Sequence, residues 1–288
     1  LDPSRVLLLG ATRFPGSSLC QLLASEFSMC TMQDERTVLL RPAHLEIKVH
    51  ASNAKCILFT GHPEVTDSVC GLGKLLIALR NALEICRAQG RRFIFLSSNR
   101  VFEGHHAFDA PVKEDEPACP NTPYGEALFL AEQLIELYGR CSGLDALVVR
   151  TGIVYGNSDN RPGFLQTFIR QALRNNPIVT HCYHNGSPFV DLLHVTDFAE
   201  GLSCAIRRGL SGLLHLGSKT GISTFELANL IVRIAGSHSM VERVSLRGIA
   251  PNVILDSSRA LGSLGWRPRI TLEQGLGEVV ATLRTPTT

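Results

Sequence analysis

The chain has no excess of either charge. Its 28 Lys and Arg against 26 Asp and Glu leave a formal +2 over 288 residues, which argues against a nucleic-acid binder or a polybasic membrane binder. No apolar run reaches the roughly 18 to 20 residues that cross a bilayer, so the sequence reads as a soluble protein with no membrane partner. Nine cysteines are scattered with no C-x-x-C pair; they read as reduced, mostly buried thiols of a cytoplasmic protein rather than a disulfide framework or a zinc site. The clusters His105-His106 and His181-Cys182-Tyr183-His184 lack a third ligand at a suggestive spacing, and no metal is expected. Internal repeats and low-complexity tracts are also missing. What is present is 44% hydrophobic against 19% charged residues. That composition supports a sizeable core in one large domain, or one domain with a smaller annex, and excludes disorder as the dominant state.

Arg5 to Leu9 is a short apolar run ending at Gly10, and apolar residues at helical spacing follow from Ser17 to Phe27. The unit is strand, glycine turn, helix. Cys56 to Phe59 and Phe93 to Leu96 have the compact apolar look of strands buried on both faces, with a helix over Leu75 to Gln89 stopped by Gly90. A second long helix is predicted over Tyr124 to Tyr138, closed by Gly139, and Ala146 to Arg150 gives another buried strand. The alternation predicts an α/β fold, a Rossmann-type doubly wound parallel sheet over residues 1–150. From Thr151 to Pro188 the chain is richer in Pro, Asn, Gly and His, and short helices are predicted at Phe164 to Arg174, Asp197 to Arg207 and Thr224 to Ala235. Residues 151–288 read as a smaller substrate-binding part, some segments of which return to the sheet.

Gly10-Ala11-Thr12-Arg13-Phe14-Pro15-Gly16 lies where a phosphate-binding turn belongs. The first glycine permits the tight turn, the last permits close helix packing, and the helix N-terminus offers N–H groups to a pyrophosphate. Gly10, Thr12, Arg13, Phe14 and Gly16 are the candidate cofactor contacts. A second strand over Met29 to Gln33 would end at Asp34, 34 − 10 = 24 positions after the first glycine. An acid there accepts both hydroxyls of an adenosine ribose and repels a 2′-phosphate, favouring NAD over NADP. Arg13 occupies the middle of the turn, where a side chain crowds the pyrophosphate. Either it swings out to clamp phosphate, or the cofactor binds weakly.

Phe93-Ile94-Phe95-Leu96-Ser97-Ser98-Asn99-Arg100-Val101-Phe102-Glu103-Gly104 is followed by the acidic-proline loop Glu114-Asp115-Glu116-Pro117 and then by Tyr124-Gly125-Glu126-Ala127-Leu128. Further on stand Arg150-Thr151-Gly152-Ile153-Val154-Tyr155-Gly156, Asp191-Leu192-Leu193-His194-Val195-Thr196-Asp197 and Leu264-Gly265-Trp266-Arg267-Pro268. In this order the motifs resemble the extended short-chain dehydrogenase/reductase family, the nucleotide-sugar epimerases, dehydratases and reductases that include the dTDP-4-dehydrorhamnose reductase type. The resemblance runs over almost the whole chain. It implies that Tyr124 exchanges a proton with a substrate hydroxyl or carbonyl and that Ser98 hydrogen-bonds the same oxygen, because hydride cannot leave or reach a carbon unless its oxygen loses or gains a proton in step. It also implies an NAD or NADP cofactor, a nucleotide-sugar substrate, and a homodimer built on the two long helices.

One family residue is absent. Where the resemblance calls for Lys, four residues after the tyrosine, this chain has Leu128. A free tyrosine titrates near pH ~10, and the lysine both lowers that value and holds the nicotinamide ribose. Arg100 and Lys113 are the loop cations that could substitute. Two readings follow: an NAD(P)-dependent oxidoreductase or epimerase with a degenerate site, or a non-catalytic nucleotide-binding or regulatory protein of the same fold. Taken singly, Ser98 is an ordinary strand-end hydroxyl, Tyr124 a packing aromatic and Asp34 a solvated acid; their joint order is what gives them functional meaning.

Overall fold

The computed structural model describes residues 2–11, 14–32, 39–60, 69–105, 111–157, 163–250 and 252–284. Thr12, Arg13 and Asp34, three of the candidate cofactor contacts, lie outside the described residues. Six strands form one parallel sheet: β1 (Asp2–Leu9), β2 (Ser28–Thr31), β3 (Ala54–Phe59), β4 (Arg92–Ser98), β5 (Ala146–Thr151) and β9 (Gly212–Leu216), in the order β2-β1-β3-β4-β5-β9. Successive side chains of a strand point to opposite faces, and here both faces are apolar. Leu7, Leu9, Ile57, Phe59, Phe93 and Phe95 pack against helices α2 (Pro42–Ser52), α3 (Val69–Gln89) and α4 (Pro123–Ser142). The alternate residues Val6, Leu8, Leu58, Ile94, Leu96 and Val149 pack against α1 (Gly16–Leu23), α6 (Val195–Arg208) and α8 (Ser258–Leu264). Burial on both faces explains why these strands read as unbroken apolar runs. The doubly wound α/β architecture expected from the sequence is the one found.

The element boundaries differ in instructive places. Gly139 does not stop α4, which runs on to Ser142 and ends at Gly143 in the left-handed region, φ 67°. Helix α1 ends at Leu23 rather than Phe27, and α3 begins at Val69, six positions before the first regularly spaced leucine. Strand β2 stops at Thr31. Helix α2 has no counterpart in the sequence reading, since it buries only Leu45 and Val49 and offers almost no amphipathic pattern.

Beyond β5 lies a second core. Helices α5 (Phe164–Leu173), α7 (Thr224–Ile234) and α9 (Leu272–Arg284) enclose it with Tyr155 and Leu192. Two small sheets border it: β10 (Gly221–Ser223), β8 (Phe189–His194) and β6 (Ile153–Tyr155) in that order, and β11 (Val241–Ser245) beside β7 (Ile178–Cys182). Asp191 on β8 ties this part together: its carboxylate accepts from Ser218 N at 2.8 Å, Ser218 Oγ at 2.6 Å and Leu255 N at 3.0 Å. Burial raises its pKa while those three donors pull it back down. Among the described residues no helix is long and apolar enough to cross a membrane.

Candidate functional site

The strand order reverses between β1 and β3, and in open parallel sheets ligands bind outside the C-terminal strand ends at such a point. Gly10 follows β1 there with φ 103°, a conformation that L side chains rarely adopt. A Cβ on Gly16 would overlap the Gly10 carbonyl, so the start of α1 rests directly on the turn. Thr60, at the end of β3, donates its hydroxyl to Leu9 O and Gly10 O, each at 3.1 Å, and fixes the turn from the far side. No side chain caps α1, so its first N–H groups suit an anion. Phe14 is buried among the residues between the sheet and α1, and its side chain serves that core. This half of the site fits the pyrophosphate of a dinucleotide.

Ser98 ends β4 and caps the 3-10 turn Asn99–Phe102: its Oγ accepts from Arg100 N at 3.4 Å and donates to Asn99 Oδ1 at 3.2 Å. Tyr124 stands in the first turn of α4. Thr122 caps that helix by accepting from Gly125 N at 3.1 Å, and Pro123 suits the first helical position. A Cβ on Gly125 would lie 2.7 Å from Arg100 O, so the helix start carrying Tyr124 sits backbone to backbone on the turn carrying Ser98. The structure thus brings the elements of Ser98 and Tyr124 together.

Leu128 is 1% exposed within the apolar core that includes Phe95 and Phe102. It supplies no cation, and the nicotinamide-ribose half of a dinucleotide lacks the fit that the glycine turn gives the other half. Arg100 is occupied nearby, donating from Nη1 to Glu103 Oε1 at 2.7 Å. Lys113 is exposed beside Val112, which bridges to Leu255.

A buried polar ladder crosses three strands below Ser98. Ser97, Arg150 and His215 are neighbours in register on β4, β5 and β9. Glu132 of α4 accepts from Ser97 Oγ, and from Arg150 through Nη2 at 2.6 Å and Nε at 3.1 Å. The Arg150 guanidinium lies 4.8 Å from the centre of the Phe102 ring, against which His215 stands edge-on. His215 Nδ1 lies 3.1 Å from Val112 O, and burial, reinforced by the charge of Arg150, lowers its pKa to about 3. The ring is therefore neutral and Nδ1–H donates. Glu114 of the acidic-proline loop accepts from His215 N at 2.9 Å, covering the free edge of β9. The sequence reading missed Glu132, although it lies two helical turns beyond Tyr124 and one beyond Leu128 on the same face. That spacing was the signal.

A cleft of about 530 Å³ opens beside this turn, between the C-terminal edge of the sheet and the second core. Asn99, Arg100 and Glu103 form one wall; Phe164, His181 and Phe189 stand on the others. It is large enough for a small organic substrate. Among the described residues no group of three His, Cys, Asp or Glu side chains is placed to hold a metal.

Residues 74–214 match the family model described as the NAD dependent epimerase/dehydratase family. A dTDP-glucose 4,6-dehydratase of Actinoplanes sp. is 27% identical over 248 residues, covering 84% of this chain and 72% of that protein. A putative UDP-glucose 4-epimerase of Methanocaldococcus jannaschii is 29% identical over 206 residues, 69% of this chain and 66% of that protein, just short of two thirds of its length. The crystal structure of a Thermus thermophilus UDP-glucose 4-epimerase complexed with NAD shares the fold, with a TM-score of 0.86 and 22% identity over 98% of this chain and 100% of that one. RMD from Pseudomonas aeruginosa complexed with NADPH does so with a TM-score of 0.84 and 21% identity over 98% and 100% of the two chains. Over residues 74–214, and at 27–29% identity over most of its length, the chain is similar to proteins of the NAD dependent epimerase/dehydratase family.

Proposed function

We propose that the protein is an NAD-dependent oxidoreductase or epimerase acting on a nucleotide-linked sugar or a similar polyol. The observation that carries this reading is the seating of the Tyr124 helix start on the Ser98 turn, whose Asn99 and Arg100 line the cleft, at the strand ends where the glycine turn lies. Gly10 and Gly16, with the open N-terminus of α1, would hold the dinucleotide pyrophosphate, and Thr12, Arg13 and Asp34 belong to the same proposed set. A dinucleotide held there would supply hydride chemistry at the substrate carbon. Tyr124 takes the proton of the substrate hydroxyl as hydride leaves, and gives one back in the reverse direction; Ser98 donates a hydrogen bond to the same oxygen. The substrate lies in the 530 Å³ cleft between the sheet edge and the residues after Arg150. Leu128 offers the phenol no neighbouring ammonium to assist its ionisation, which slows proton transfer at neutral pH.

Conversion of UDP- and dTDP-sugars by wild type, Ser98→Ala and Tyr124→Phe, read by chromatography of the sugar nucleotides, tests this reading. Tyr124→Phe is expected to lower kcat by roughly 10²- to 10⁴-fold. Turnover unchanged by that substitution removes the assigned chemistry. The burial of Leu128 favours a second reading, a non-catalytic nucleotide-binding protein of the same fold. NAD binding with no turnover on any sugar selects it.

A further inference from the structure

Helices α5, α7 and α9 end at one place on the surface, on the second core and away from the residues assigned above. A pocket of about 490 Å³ lies there, walled by Arg170, Arg174, Arg284, Asn175, Ser237 and Leu283. Three guanidinium groups line it and, among the described residues, no carboxylate does. For a chain whose whole formal charge is +2, that is a strong local concentration of one sign.

Arginine at a helix C-terminus has an ordinary use, which is to cap the last carbonyls and to balance the dipole. That use is largely filled by other groups. At the end of α5, Gln171 O accepts from Arg174 N at 3.1 Å and Asn176 N at 3.0 Å, and Ala172 O accepts from Asn175 N at 3.0 Å. At the end of α7, Arg233 O and Val232 O accept from Gly236 N and Ser237 N at 3.1 and 3.0 Å. Ala235 O takes the guanidinium of Arg284. All these partners but Arg284 are backbone N–H groups, so Arg284 acts as a cap while Arg170 and Arg174 have no such duty. Among the described residues their side chains have neither an ion-pair nor a hydrogen-bond partner. They stand at i and i+4, on one side of the helix end, where side chains are neighbours. Three helix C-termini contribute roughly −0.5 charge each, so three guanidinium groups leave a surplus of about +1.5. Asn175 adds a donor: its Oδ1 is taken by Ser237 Oγ at 3.0 Å and His238 N at 2.9 Å, which leaves the Nδ2 group.

We infer that this pocket binds the phosphate group of a small phosphorylated molecule, at a site separate from the glycine turn and the substrate cleft. The forked guanidinium groups of Arg170 and Arg174 match phosphate oxygens two at a time. Leu173 and Leu283 offer apolar contact to an organic part, and the volume exceeds what a bare oxyanion fills. Because α5 also carries Phe164 and Phe168 into the wall of the substrate cleft, occupancy at its far end bears on an element of the proposed active site.

The test is titration calorimetry of the full chain with inorganic pyrophosphate in low salt. Wild type is compared with Arg170→Gln/Arg174→Gln and with a control of equal charge loss elsewhere, Arg140→Gln/Arg208→Gln. Any binding at the glycine turn is common to all three proteins and cancels in the comparison. Loss of the two pocket arginines is expected to weaken pyrophosphate binding at least tenfold while the control stays within twofold of wild type. All four side chains are exposed, so the variants are expected to melt as wild type does. Equal affinity in wild type and the Arg170/Arg174 variant overturns the inference, and so does equal weakening in both variants.

Discussion

Glu132 and Arg150 form a two-pronged ion pair inside the protein, 2.6 Å from Nη2 to Oε2, with 5% and 6% of their side chains exposed. It joins α4 to β5, and through Ser97 to β4. A buried pair adds little to stability over a well-packed apolar pair, but removing one partner strands a charge. Glu132→Ala is therefore expected to cost about 3–5 kcal/mol in urea unfolding, and Glu132→Leu/Arg150→Met much less than the sum of its single changes. Additive losses would mean that the two residues act independently.

Leu128→Lys places an ammonium where 1% of the residue is exposed. Burial of the unpaired charge is expected to lower Tm without nucleotide by roughly 5 °C or more, on a scale of about 2–4 °C per kcal/mol. Lysine stems are long enough to bring the charge toward a bound dinucleotide. NAD should thus raise the Tm of this variant more than that of wild type in a thermal scan. An equal rise would show that position 128 faces the core alone.

Ile77 on α3 and Leu130 and Leu137 on α4 are 52%, 42% and 44% exposed. The two helices are held side by side by Tyr138, which donates to Glu84 Oε1 at 2.6 Å. This apolar face is expected to bury against its counterpart in a homodimer at micromolar concentration, seen by sedimentation velocity. Leu130→Lys/Leu137→Lys should sediment as a monomer.

His215 is held neutral, its pKa lowered to about 3 by burial and by Arg150. In the unfolded chain it titrates near ~6.5. Between these values the unfolded state binds the extra proton, so stability rises with pH and is lost as pH falls from about 6.5 toward 3, by about 1.4 kcal/mol per unit at most. His215→Gln should flatten the stability profile between pH 6 and 4 relative to wild type in urea titrations. Parallel profiles would assign that slope to other groups.

Four strands of the sheet, β1, β3, β4 and β5, were legible because they are largely apolar runs buried on both faces, and the long helices because their buried residues recur at three and four; β9 carried too short a signal and was not read. The proposed pair, Ser98 and Tyr124, was named from a run of motifs. The ladder of Ser97, Arg150 and His215 was not: these residues are far apart in sequence and meet only because β5 is flanked by β4 on one side and β9 on the other. The pairing of β7 with β11 escaped for a related reason. Its partners are some sixty residues apart, and every residue of β11 is at least partly exposed, so the strand carries no alternating signal. Gly139 was mistaken for a helix stop because composition does not reveal φ; Gly143, not Gly139, takes the left-handed conformation.

At Gly125, the missing side chain acts as a gauge. The helix of Tyr124 and the turn of Ser98 touch through main-chain atoms, with 2.7 Å between an imagined Cβ and Arg100 O. Any side chain there would serve as a shim one carbon thick, tilting the phenol away from the serine while leaving both residues in place. The machining tolerance of this proposed proton relay is thus smaller than a methyl group, and it is set by a residue that takes no part in the chemistry.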